Sequence, residues 1–437
     1  MNRDTIFALA TAPGRAGVAV VRVSGRDAAR ALEALTRKPL PLPRNAAMAG
    51  FFDGAGNPID RGLAIFFRGP ASFTGEDIAE FHVHGGRAVI GALVDALAAL
   101  GLRLAEPGEF TRRAVEHGKL DLTQAEAIAD LVDAQTDAQR RQALRQYDGA
   151  LANLYEGWRG ELIRAGAWAE AAIDFSDEEL PADTLARTRA AISRVLQDIR
   201  EHLADSRRGE MLREGLNLTV IGPPNAGKSS LVNALARRDV AIVAEIAGTT
   251  RDVIEVRMDL GGYPVILADT AGLRETAEVV EAEGVRRARA RAEAADLVLL
   301  LLDGSAADPF AGLPAGTRGD LVVFNKSDLA WPMRRDGLSI SLKTGNGMDA
   351  MIEALTAKVR ERLESSNEAP VLTRARHRQA LEGATQSLKD ALTAADDQPE
   401  LMAEDLRLAL RALGRITGRV DIEELLDVIF KDFCIGK

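Results

Sequence analysis

The chain has 437 residues, of which 46% are hydrophobic and 27% are charged. This length is well beyond a single typical domain, and the apolar content is high enough to bury several cores, which excludes intrinsic disorder as the main state. The net charge is −10, whereas proteins that bind nucleic acid mainly through its phosphates are usually basic. Any nucleic-acid site must therefore be local or shared with another subunit.

The cysteine content and the longest apolar run bear on the cell compartment. Cys434 is the only cysteine, which excludes an intrachain disulfide and a Cys-based zinc cluster. The longest aliphatic run, Leu297 to Leu302, is far shorter than a membrane-spanning helix, and the N-terminus lacks a signal-peptide pattern. We therefore expect a cytoplasmic protein without a membrane anchor.

The first 118 residues mix two kinds of hydrophobic pattern. Apolar residues alternate in the manner of strands at Val18–Val23, Leu63–Phe67 and Ile78–Val83, and they take helical spacing from Arg87 to Leu100. Many Gly and Pro residues separate these runs. The pattern predicts an α+β domain over residues 1–118.

Helical texture then dominates on both sides of a different segment. From Leu122 to Leu212, and again from Thr373 to Phe430, the chain is rich in Ala, Leu, Gln, Arg and Glu at helical spacing. Between these stretches, short apolar runs alternate with helical segments, as a parallel sheet with crossover helices requires. The runs span residues 218–221, 265–268, 297–302 and 321–324. We predict a multidomain chain in which an α/β domain (215–365) is inserted into an all-α helical domain (119–214 and 366–437).

A phosphate-binding loop follows the first of these apolar runs. It reads GPPNAGKS from Gly222 to Ser229, and a helix-like stretch follows it. Glycine lets backbone N–H groups close on the phosphates, Lys228 binds the β and γ oxygens, and the Ser229 hydroxyl is placed for Mg²⁺. The alternative, a chance glycine-rich turn, does not explain the complete motif between a strand and a helix.

Further motifs stand where other apolar runs end, which is where an α/β fold builds its site. DTAG at 269–272 supplies an Asp for the Mg²⁺ shell and a Gly N–H for the γ-phosphate. NKSD at 325–328 supplies a carboxylate that accepts from N1–H and the exocyclic amine of guanine, a donor arrangement that adenine lacks. SLK at 341–343 is expected to lie behind the base. With GTTRD at 248–252 as switch I, these motifs predict a GTPase.

One residue at the second switch indicates how hydrolysis must differ from that of small signalling GTPases. Leu273 follows the DTAG glycine, where those enzymes place a Gln that orients the attacking water. Leucine cannot do this, so another group must. Glu281 is the candidate carboxylate, and its alternative is an exposed acid at a helix start. Arg251 and Arg274 lie in the switch segments, where neither is excluded as an arginine finger.

The predicted GTP site is therefore made of loops at the ends of apolar runs. Ser229 and Thr250 are its expected Mg²⁺ ligands. Its residues are Asn225, Ala226, Gly227, Lys228, Ser229, Ser230, Ala244, Glu245, Ile246, Ala247, Gly248, Thr249, Thr250, Asp269, Thr270, Ala271, Gly272, Asn325, Lys326, Asp328, Ser341, Leu342 and Lys343.

Taken together, these motifs resemble the MnmE (TrmE) family of tRNA modification GTPases. The resemblance rests on GPPNAGKSSLVNAL, IAGTTRD, DTAGLRET, NKSD and the terminal CIGK of Cys434–Lys437. It covers the whole chain, including HGG at His84–Gly86 and GKLDLTQAEA at Gly118–Ala127. It implies a folate-binding-like N-terminal domain that forms a homodimer, followed by the helical domain with its inserted P-loop G domain.

The resemblance also implies an activity and its cofactors. Members of this family work as a heterotetramer with the flavin-dependent protein MnmG (GidA). They install an aminomethyl or carboxymethylaminomethyl group at C5 of the wobble uridine of tRNA. The one-carbon donor is a tetrahydrofolate derivative, 5-formyl or 5,10-methylene, and FAD and NADH belong to the partner. The chain's own Gly54-Ala-Gly56 lacks the third glycine and the helix of a dinucleotide site, which agrees with this division.

Site residues carried over from the family concern potassium, water and folate. Asn225, Ala244, Ile246 and Thr249 resemble the K⁺ site, where the cation acts in place of an arginine finger. Glu281 matches the carboxylate that positions the water, and Lys228 and Cys434 complete the implied catalytic set. Arg22, Glu80, Lys119 and Lys437 are the implied folate ligands, with the C-terminal tail placed at the folate pocket. The alternatives are that Arg22 is a solvated strand end, that Glu80, His82 and His84 share a strand face exposed to water, and that Cys434 is a small buried hydrophobe beside Phe433.

Two other functions fit the sequence less well. A regulatory GTPase that binds RNA or assembles ribosomes would need a basic appendage, and no stretch of the chain is basic enough to serve as one. A membrane-anchored GTPase would use Cys434 as a prenylation site, but Gly436 is not aliphatic and Lys437 is not a usual terminal residue of that motif.

Overall fold

The structure is a computed structural model that describes most of the chain. It describes residues 4–174, 184–205, 207–238, 240–242, 255–268, 295–314, 316–317, 319–331, 337–364, 370–394, 398–420, 426, 429–430 and 433–436. The chain divides into two compact units. Unit 1 comprises Met1–Ala129, Tyr155–Arg159 and Leu410–Lys437, and unit 2 comprises Asp130–Leu154 and Gly160–Ala409.

Unit 1 contains a six-stranded sheet with the order β3-β4-β5-β2-β1-β6. Neighbouring strands are antiparallel except β1 and β6, which are parallel. The strands are β1 (Ile6–Leu9), β2 (Ala19–Ser24), β3 (Ala47–Phe52), β4 (Pro58–Phe67), β5 (Ile78–Val83) and β6 (Arg103–Leu104). These strands, with the helices that follow, make this part of the chain α+β, and the bounds 1–118 stay a prediction.

The twelve described helices are distributed over both units. They are α1 (Ala28–Thr36), α2 (Arg87–Ala99), α3 (Glu109–Glu116), α4 (Leu122–Asp133), α5 (Asp137–Tyr147), α6 (Ala150–Asp174), α7 (Thr184–Leu203), α8 (Arg208–Glu214), α9 (Lys228–Ala236), α10 (Met348–Leu363), α11 (Ala375–Thr393) and α12 (Pro399–Thr417). Both stretches with helical texture are therefore helical where they are described. No described helix is long and apolar enough to cross a membrane.

Strand alternation places two predicted folate residues on one face of the first sheet. In β2, Val21 and Val23 are fully buried while Arg22 between them is only half-buried. In β5, Phe81 is fully buried while Glu80 beside it is half-buried. Because side chains alternate between the two faces of a strand, Arg22 and Glu80 project away from the core. The strand register makes them direct neighbours.

A buried ion network lies under the same domain. The Arg113 side chain is 5% exposed and contacts the carboxylates of Asp4 at 3.0 Å, Glu76 at 3.1 Å and Glu109 at 2.9 Å. Arg103 adds a second guanidinium at 2.7 Å from Glu109. The network ties α3 to the start of the chain and to the loop before β5, so these three segments are fixed relative to each other.

Unit 2 contains the second sheet, with the order β12-β11-β10-β7-β9-β8. The strands are β7 (Leu216–Ile221), β8 (Glu255–Leu260), β9 (Tyr263–Ala268), β10 (Leu297–Asp303), β11 (Leu321–Asn325) and β12 (Leu338–Ser339). Five of them are parallel, but β8 is antiparallel to β9. The expectation of a parallel sheet is corrected to a mixed sheet with one antiparallel edge strand, because Gly261-Gly262 closes a hairpin.

Two arginines that flank the segment predicted to be inserted (215–365) are tied to one carboxylate. Asp130, at the end of α4, accepts hydrogen bonds from Arg213 at 2.9 Å and Arg374 at 2.7 Å. A Cβ at Gly209 would lie 2.0 Å from the Leu372 carbonyl oxygen, which shows how closely the chain segments before and after 215–365 pack. An inserted domain needs its two connecting segments to lie side by side in this way.

Candidate functional site

The phosphate-binding loop joins β7 to α9 and depends on glycine at two positions. A Cβ at Gly222 would lie 2.0 Å from the Leu301 carbonyl oxygen, and one at Gly227 would lie 2.6 Å from Asn325 Nδ2. Asn225 and Gly227 also have positive φ, +61° and +104°. The tight backbone predicted from the motif is therefore present: the close neighbour requires glycine at 222, and both the close neighbour and φ require it at 227.

Lys228 and the serines after it begin α9. The Lys228 ammonium donates to the carbonyl oxygens of Gly222 and Pro223, each at 2.9 Å, so it lies over the loop. Ser229 and Ser230 are exposed in the first turn. A helix N-terminus carries partial positive charge, and together with the ammonium it makes this loop suitable for phosphate. A serine hydroxyl here has the oxygen chemistry that Mg²⁺ prefers.

Asn325 connects the phosphate loop to the loops expected at the base. Its side chain is 4% exposed; its Nδ2 donates to the Ala226 carbonyl oxygen at 2.9 Å, and its Oδ1 accepts from the Leu342 N–H at 3.2 Å. Three segments that lie far apart in the sequence are thereby joined through one amide. The structure brings together the predicted residues of the phosphate loop, the NKSD motif and the SLK motif.

Asp328 presents an exposed carboxylate in this cluster. Its Oδ1 accepts from the Ser341 hydroxyl at 2.7 Å. This hydrogen bond, with a smaller contribution from the charge of Lys343, holds the pKa of the Asp328 carboxyl below its ordinary value despite opposing desolvation. The carboxylate is therefore ionised at neutral pH and can accept the two donors of guanine.

Two residues of this cluster were not anticipated from the sequence. Asp303, the last residue of β10, pairs with the Lys326 ammonium at 2.5 Å. Burial raises the pKa of the Asp303 carboxyl, but the hydrogen bonds from Lys326 and Ser305 outweigh it, so the pKa is lowered. The signal was available, because Asp303 ends an apolar parallel strand as Asn325 does.

Trp331 is the second of these residues. Its Nε1 donates to the Lys326 carbonyl oxygen at 3.0 Å, and Lys326 has φ +67°. Non-glycine residues are uncommon at such φ values, so the indole stabilises a strained turn at the base loop. No local pattern in the sequence marks a tryptophan for this role.

Several predicted site residues lie outside the described residues. They are Ala244, Glu245, Ile246, Ala247, Gly248, Thr249, Thr250, Asp269, Thr270, Ala271, Gly272, Glu281 and Lys437. Their assignments to GTP, Mg²⁺, K⁺, water and folate stay predictions.

The predicted folate residues Arg22 and Glu80 meet on the first sheet. Arg22 donates to Glu80 Oε1 from Nε at 3.0 Å and from Nη2 at 2.8 Å, and His82 Nε2 lies 3.1 Å from Glu80 Oε2. The Arg22 guanidinium also lies 5.7 Å from the ring centre of Phe73 and 5.9 Å from that of Phe110. Arg22 is therefore an ordered, paired side chain inside β2, and the alternative of a solvated strand end is wrong.

Lys119 and the C-terminal tail lie elsewhere in the same unit. The Lys119 ammonium donates to the Pro70 carbonyl oxygen at 3.1 Å, on the loop that also carries Phe73. The Gly108 N–H donates to the Cys434 carbonyl oxygen at 3.3 Å, just before α3 and its Phe110. The Cys434 side chain is exposed, so the alternative of a small buried hydrophobe is wrong.

Comparison with known proteins covers the whole chain. A family model described as the MnmE helical domain matches residues 122–434, and one described as the GTP-binding protein TrmE N-terminus matches residues 5–119. The tRNA modification GTPase MnmE of Parvibaculum lavamentivorans is 57% identical over 99% of this chain and 100% of its own length. That of Paramagnetospirillum magneticum is 55% identical over 99% and 100%, and that of Rhodospirillum rubrum is 54% identical over 100% and 100%. The resemblance seen in the motifs is confirmed: the chain belongs to the MnmE (TrmE) family of tRNA modification GTPases.

Proposed function

We propose that this chain is a K⁺-stimulated GTPase that modifies the wobble uridine of tRNA. As a family member it is a GTPase that acts in tRNA modification. In the proposed reaction it works with the flavin-dependent MnmG (GidA), which holds FAD and uses NADH. Together they install an aminomethyl or carboxymethylaminomethyl group at C5, with a tetrahydrofolate derivative as the one-carbon donor.

The observation that carries the GTPase part is the junction at Asn325. One buried amide joins the phosphate loop to the base loop at 2.9 and 3.2 Å. Asp328 stands ionised and exposed beside it. A nucleotide bound here has its phosphates at Lys228 and its guanine edge at Asp328, so one ligand is recognised at both ends.

Residues of the phosphate loop would hold the metal ions. The Ser229 hydroxyl, with Thr250, would ligate Mg²⁺, which neutralises charge on the phosphates when it is bound. The Asn225 amide oxygen, with backbone oxygens at Ala244 and Ile246 and the Thr249 region, would hold K⁺. Asn225 supports this proposal because it is exposed on the loop and its amide oxygen is the kind of ligand that such a cation requires.

Lys228 and Glu281 are the residues proposed for hydrolysis itself. Lys228 binds the β and γ oxygens and leaves the carbonyl oxygens of Gly222 and Pro223 when phosphate arrives. Glu281 orients the attacking water, a task that Leu273 cannot perform. Hydrolysis is then coupled to modification through a movement of the C-terminal tail.

The face of the first sheet around Glu80 is proposed to hold the folate. The amino-pyrimidinone edge of a pterin presents donors that suit one carboxylate, and the glutamate end of the ligand suits Lys119 and Lys437. Arg22 supports this assignment because it fixes Glu80 Oε1 by two hydrogen bonds, of 3.0 and 2.8 Å. The exposed thiol of Cys434 is proposed to act in the chemistry at this pocket.

A homodimer formed by the first domain is also proposed. Met48 and Leu63 lie opposite each other on β3 and β4, and they are 69% and 37% exposed. The strand β3 forms an edge of the sheet. Large apolar side chains exposed together near an edge favour contact with a second copy of the chain.

Nucleoside analysis of tRNA tests the proposed function. Cells that lack this protein should carry unmodified wobble uridine, and the wild-type gene should restore the modification. A gene encoding Asp328→Asn should not restore the modification, because this variant is expected to bind the GTP of the cell only weakly. Modified uridine in the cells that lack the protein would overturn the proposal.

A further inference from the structure

A pocket in unit 2 lies away from the nucleotide loops and has a basic lining. It has a volume of about 320 Å³ and forms where α5, α8 and the end of α10 meet the start of β9. Arg141, Arg145 and Arg208 line it, and Glu364 is the one carboxylate among the lining residues. The lining residues thus sum to +2 in a chain whose net charge is −10, and Asp137, beside the lining, pairs with Arg141 at 2.5 Å.

The arginines are placed to act together on an anion. Arg141 and Arg145 are four residues apart on α5 and so share one face of the helix. Arg208 approaches from the first residue of α8. Glu364 is already engaged, because its Oε1 accepts from the Tyr263 hydroxyl at 2.7 Å and lies 3.1 Å from Arg360 Nε. Guanidinium groups recognise phosphate oxygens through paired hydrogen bonds, and they do so more specifically than an ammonium.

The rest of the lining suits a nucleoside next to the phosphate. Gln142 and Gln146 lie on the same face of α5, and Gln142 Nε2 donates to Gln146 Oε1 at 3.3 Å. Gln146 is 1% exposed and its Oε1 also accepts from the Thr373 hydroxyl at 3.1 Å, so the amide is held in place. Leu212 and the Tyr263 ring add apolar surface. Ligand pockets commonly combine an apolar wall with a few fixed polar groups in this way.

We propose that this pocket binds one nucleotide unit of the tRNA, with its phosphate on Arg141 and Arg145 and its nucleoside against the Gln142 and Tyr263 side. This inference rests on the proposed function, in which tRNA is the substrate. It locates on this chain the local basic site that an acidic protein needs in order to hold RNA. A free nucleotide has the same chemistry, and the test below separates the two sources.

The test compares two variants on the same helix. The full-length chain with Arg141→Ala and Arg145→Ala loses two lining guanidiniums. Arg140→Ala is the matched control, because Arg140 and Arg141 both pair with Asp137, at 2.7 and 2.5 Å, but Arg140 is not among the pocket residues. tRNA affinity is measured by fluorescence anisotropy over a series of KCl concentrations, and GTP hydrolysis is measured in parallel.

We expect the double variant to bind tRNA roughly ten-fold or more weakly, with a salt dependence whose slope is smaller by about one, because both guanidiniums are proposed to contact the same phosphate. The control should stay within about two-fold of the wild type because a single exposed charge outside the pocket contributes little. GTP hydrolysis should be unchanged in both.

Any of four results would overturn the inference. Equal losses of tRNA affinity in the double variant and in Arg140→Ala would indicate a non-specific electrostatic attraction. Unchanged tRNA affinity in the double variant would show that the pocket does not bind tRNA. A wild type that binds no tRNA would show the same. If GMP binds the wild type but not the double variant, while tRNA binding is equal in both, the ligand is a free nucleotide and the RNA assignment is wrong. The proposed function fails separately, through the nucleoside analysis of cells that lack the protein.

Discussion

Replacement of Asp328 by Asn tests base recognition most directly. The carboxylate accepts one hydrogen bond from the Ser341 hydroxyl at 2.7 Å and is exposed on its remaining side. Guanine is expected to donate to it from N1–H and from the exocyclic amine. The asparagine side chain of the variant would keep an acceptor oxygen for N1–H but would set its own NH₂ against the amine of guanine.

The cost follows from the hydrogen bonds that are lost or weakened. A hydrogen bond to a charged group contributes about 1.5–3 kcal/mol, so two of them give about 3–6 kcal/mol. Because Asp328 is exposed, water offsets part of this cost, and the lower end applies. We therefore expect GTP to bind roughly 10²- to 10³-fold more weakly, since each 1.4 kcal/mol is a factor of about ten. XTP carries an oxygen where guanine carries the amine and should bind the variant more tightly than the wild type.

Titration calorimetry with GTP and XTP measures both effects, and Ser341→Ala is the matched control. That variant removes one neutral donor to Asp328 and should cost only about 0.5–1.5 kcal/mol for GTP, with no gain for XTP. If Asp328→Asn binds GTP as well as the wild type, or if Ser341→Ala gains XTP affinity to the same extent, Asp328 does not read the base.

Three further predictions concern hydrolysis and stability. GTP hydrolysis should slow strongly when Na⁺ replaces K⁺, and Glu281→Ala should lose roughly 10²-fold in turnover while still binding GTP; equal rates in the two salts would contradict the cation's role. Arg113→Met should lower the free energy of unfolding in urea by about 1–3 kcal/mol, because Asp4, Glu76 and Glu109 lose a shared guanidinium while Arg103 still pairs with Asp4 and Glu109. Burial raises the pKa of Glu109, but hydrogen bonds from Arg103, from the Glu106 N–H and from Arg113, in that order, lower it overall. The ionised Glu109 therefore contributes to the free energy of unfolding above the ordinary carboxyl pKa, and this contribution is lost as pH falls through the lowered pKa. Acid should therefore reduce the difference in the free energy of unfolding between Arg113→Met and the wild type. Asp130→Ala should lower the free energy of unfolding by about 1–3 kcal/mol, and Asp130→Asn by less. Equal stability of the wild type and both variants would mean that the hydrogen bonds from Arg213 and Arg374 to Asp130 do not stabilise the fold.

The nucleotide site could be predicted in outline because its motifs are local and stand at strand ends. The NKSD motif follows a buried apolar run, and its Asn and Asp lie at the carboxyl end of β11, as the pattern indicates. The roles of Asp303 and Trp331 depend on segments that meet only in the folded chain. Spacing along the sequence therefore predicted which motifs meet in this cluster, but not the residues that hold them in place.

The antiparallel strand β8 is a different case, because the sequence does contain its signal. Gly261 and Gly262 separate two apolar runs, and Leu260 pairs with Tyr263 across them. Both glycines have positive φ, +65° and +90°, as a two-residue hairpin turn of type I′ requires. The expectation of a purely parallel sheet gave this Gly-Gly pair too little weight. The Asp130 tie, in contrast, joins residues 83 and 244 positions apart, and no local pattern predicts it.

The C-terminal tail lies in a defined place, which allows its role to be tested by position as well as by deletion. Pro107 and Ile435 form an antiparallel bridge, and the Gly108 N–H donates to the Cys434 carbonyl oxygen at 3.3 Å. Gly436 has φ +99°, and a Cβ there would lie 2.2 Å from the Leu9 carbonyl oxygen. The tail therefore packs against β1 and the start of α3 in the domain that carries Arg22, and Gly436→Ala must displace it while it keeps every functional side chain.

Deletion of residues 434–437 should abolish tRNA modification and leave GTP hydrolysis intact, because the predicted nucleotide site lies between residues 225 and 343. Gly436→Ala should reduce modification if the tail must lie at the folate pocket, and Cys434→Ser should reduce it if the thiol takes part in the chemistry. Both variants keep Phe433, whose ring lies 4.8 Å from that of Phe430, so the anchor of the tail is retained in each. Wobble uridine is analysed in cells that carry each variant, with the free energy of unfolding as the control for folding. Modified uridine in the deletion strain would show that the tail only covers the domain surface, and the proposed role of Cys434 would be wrong.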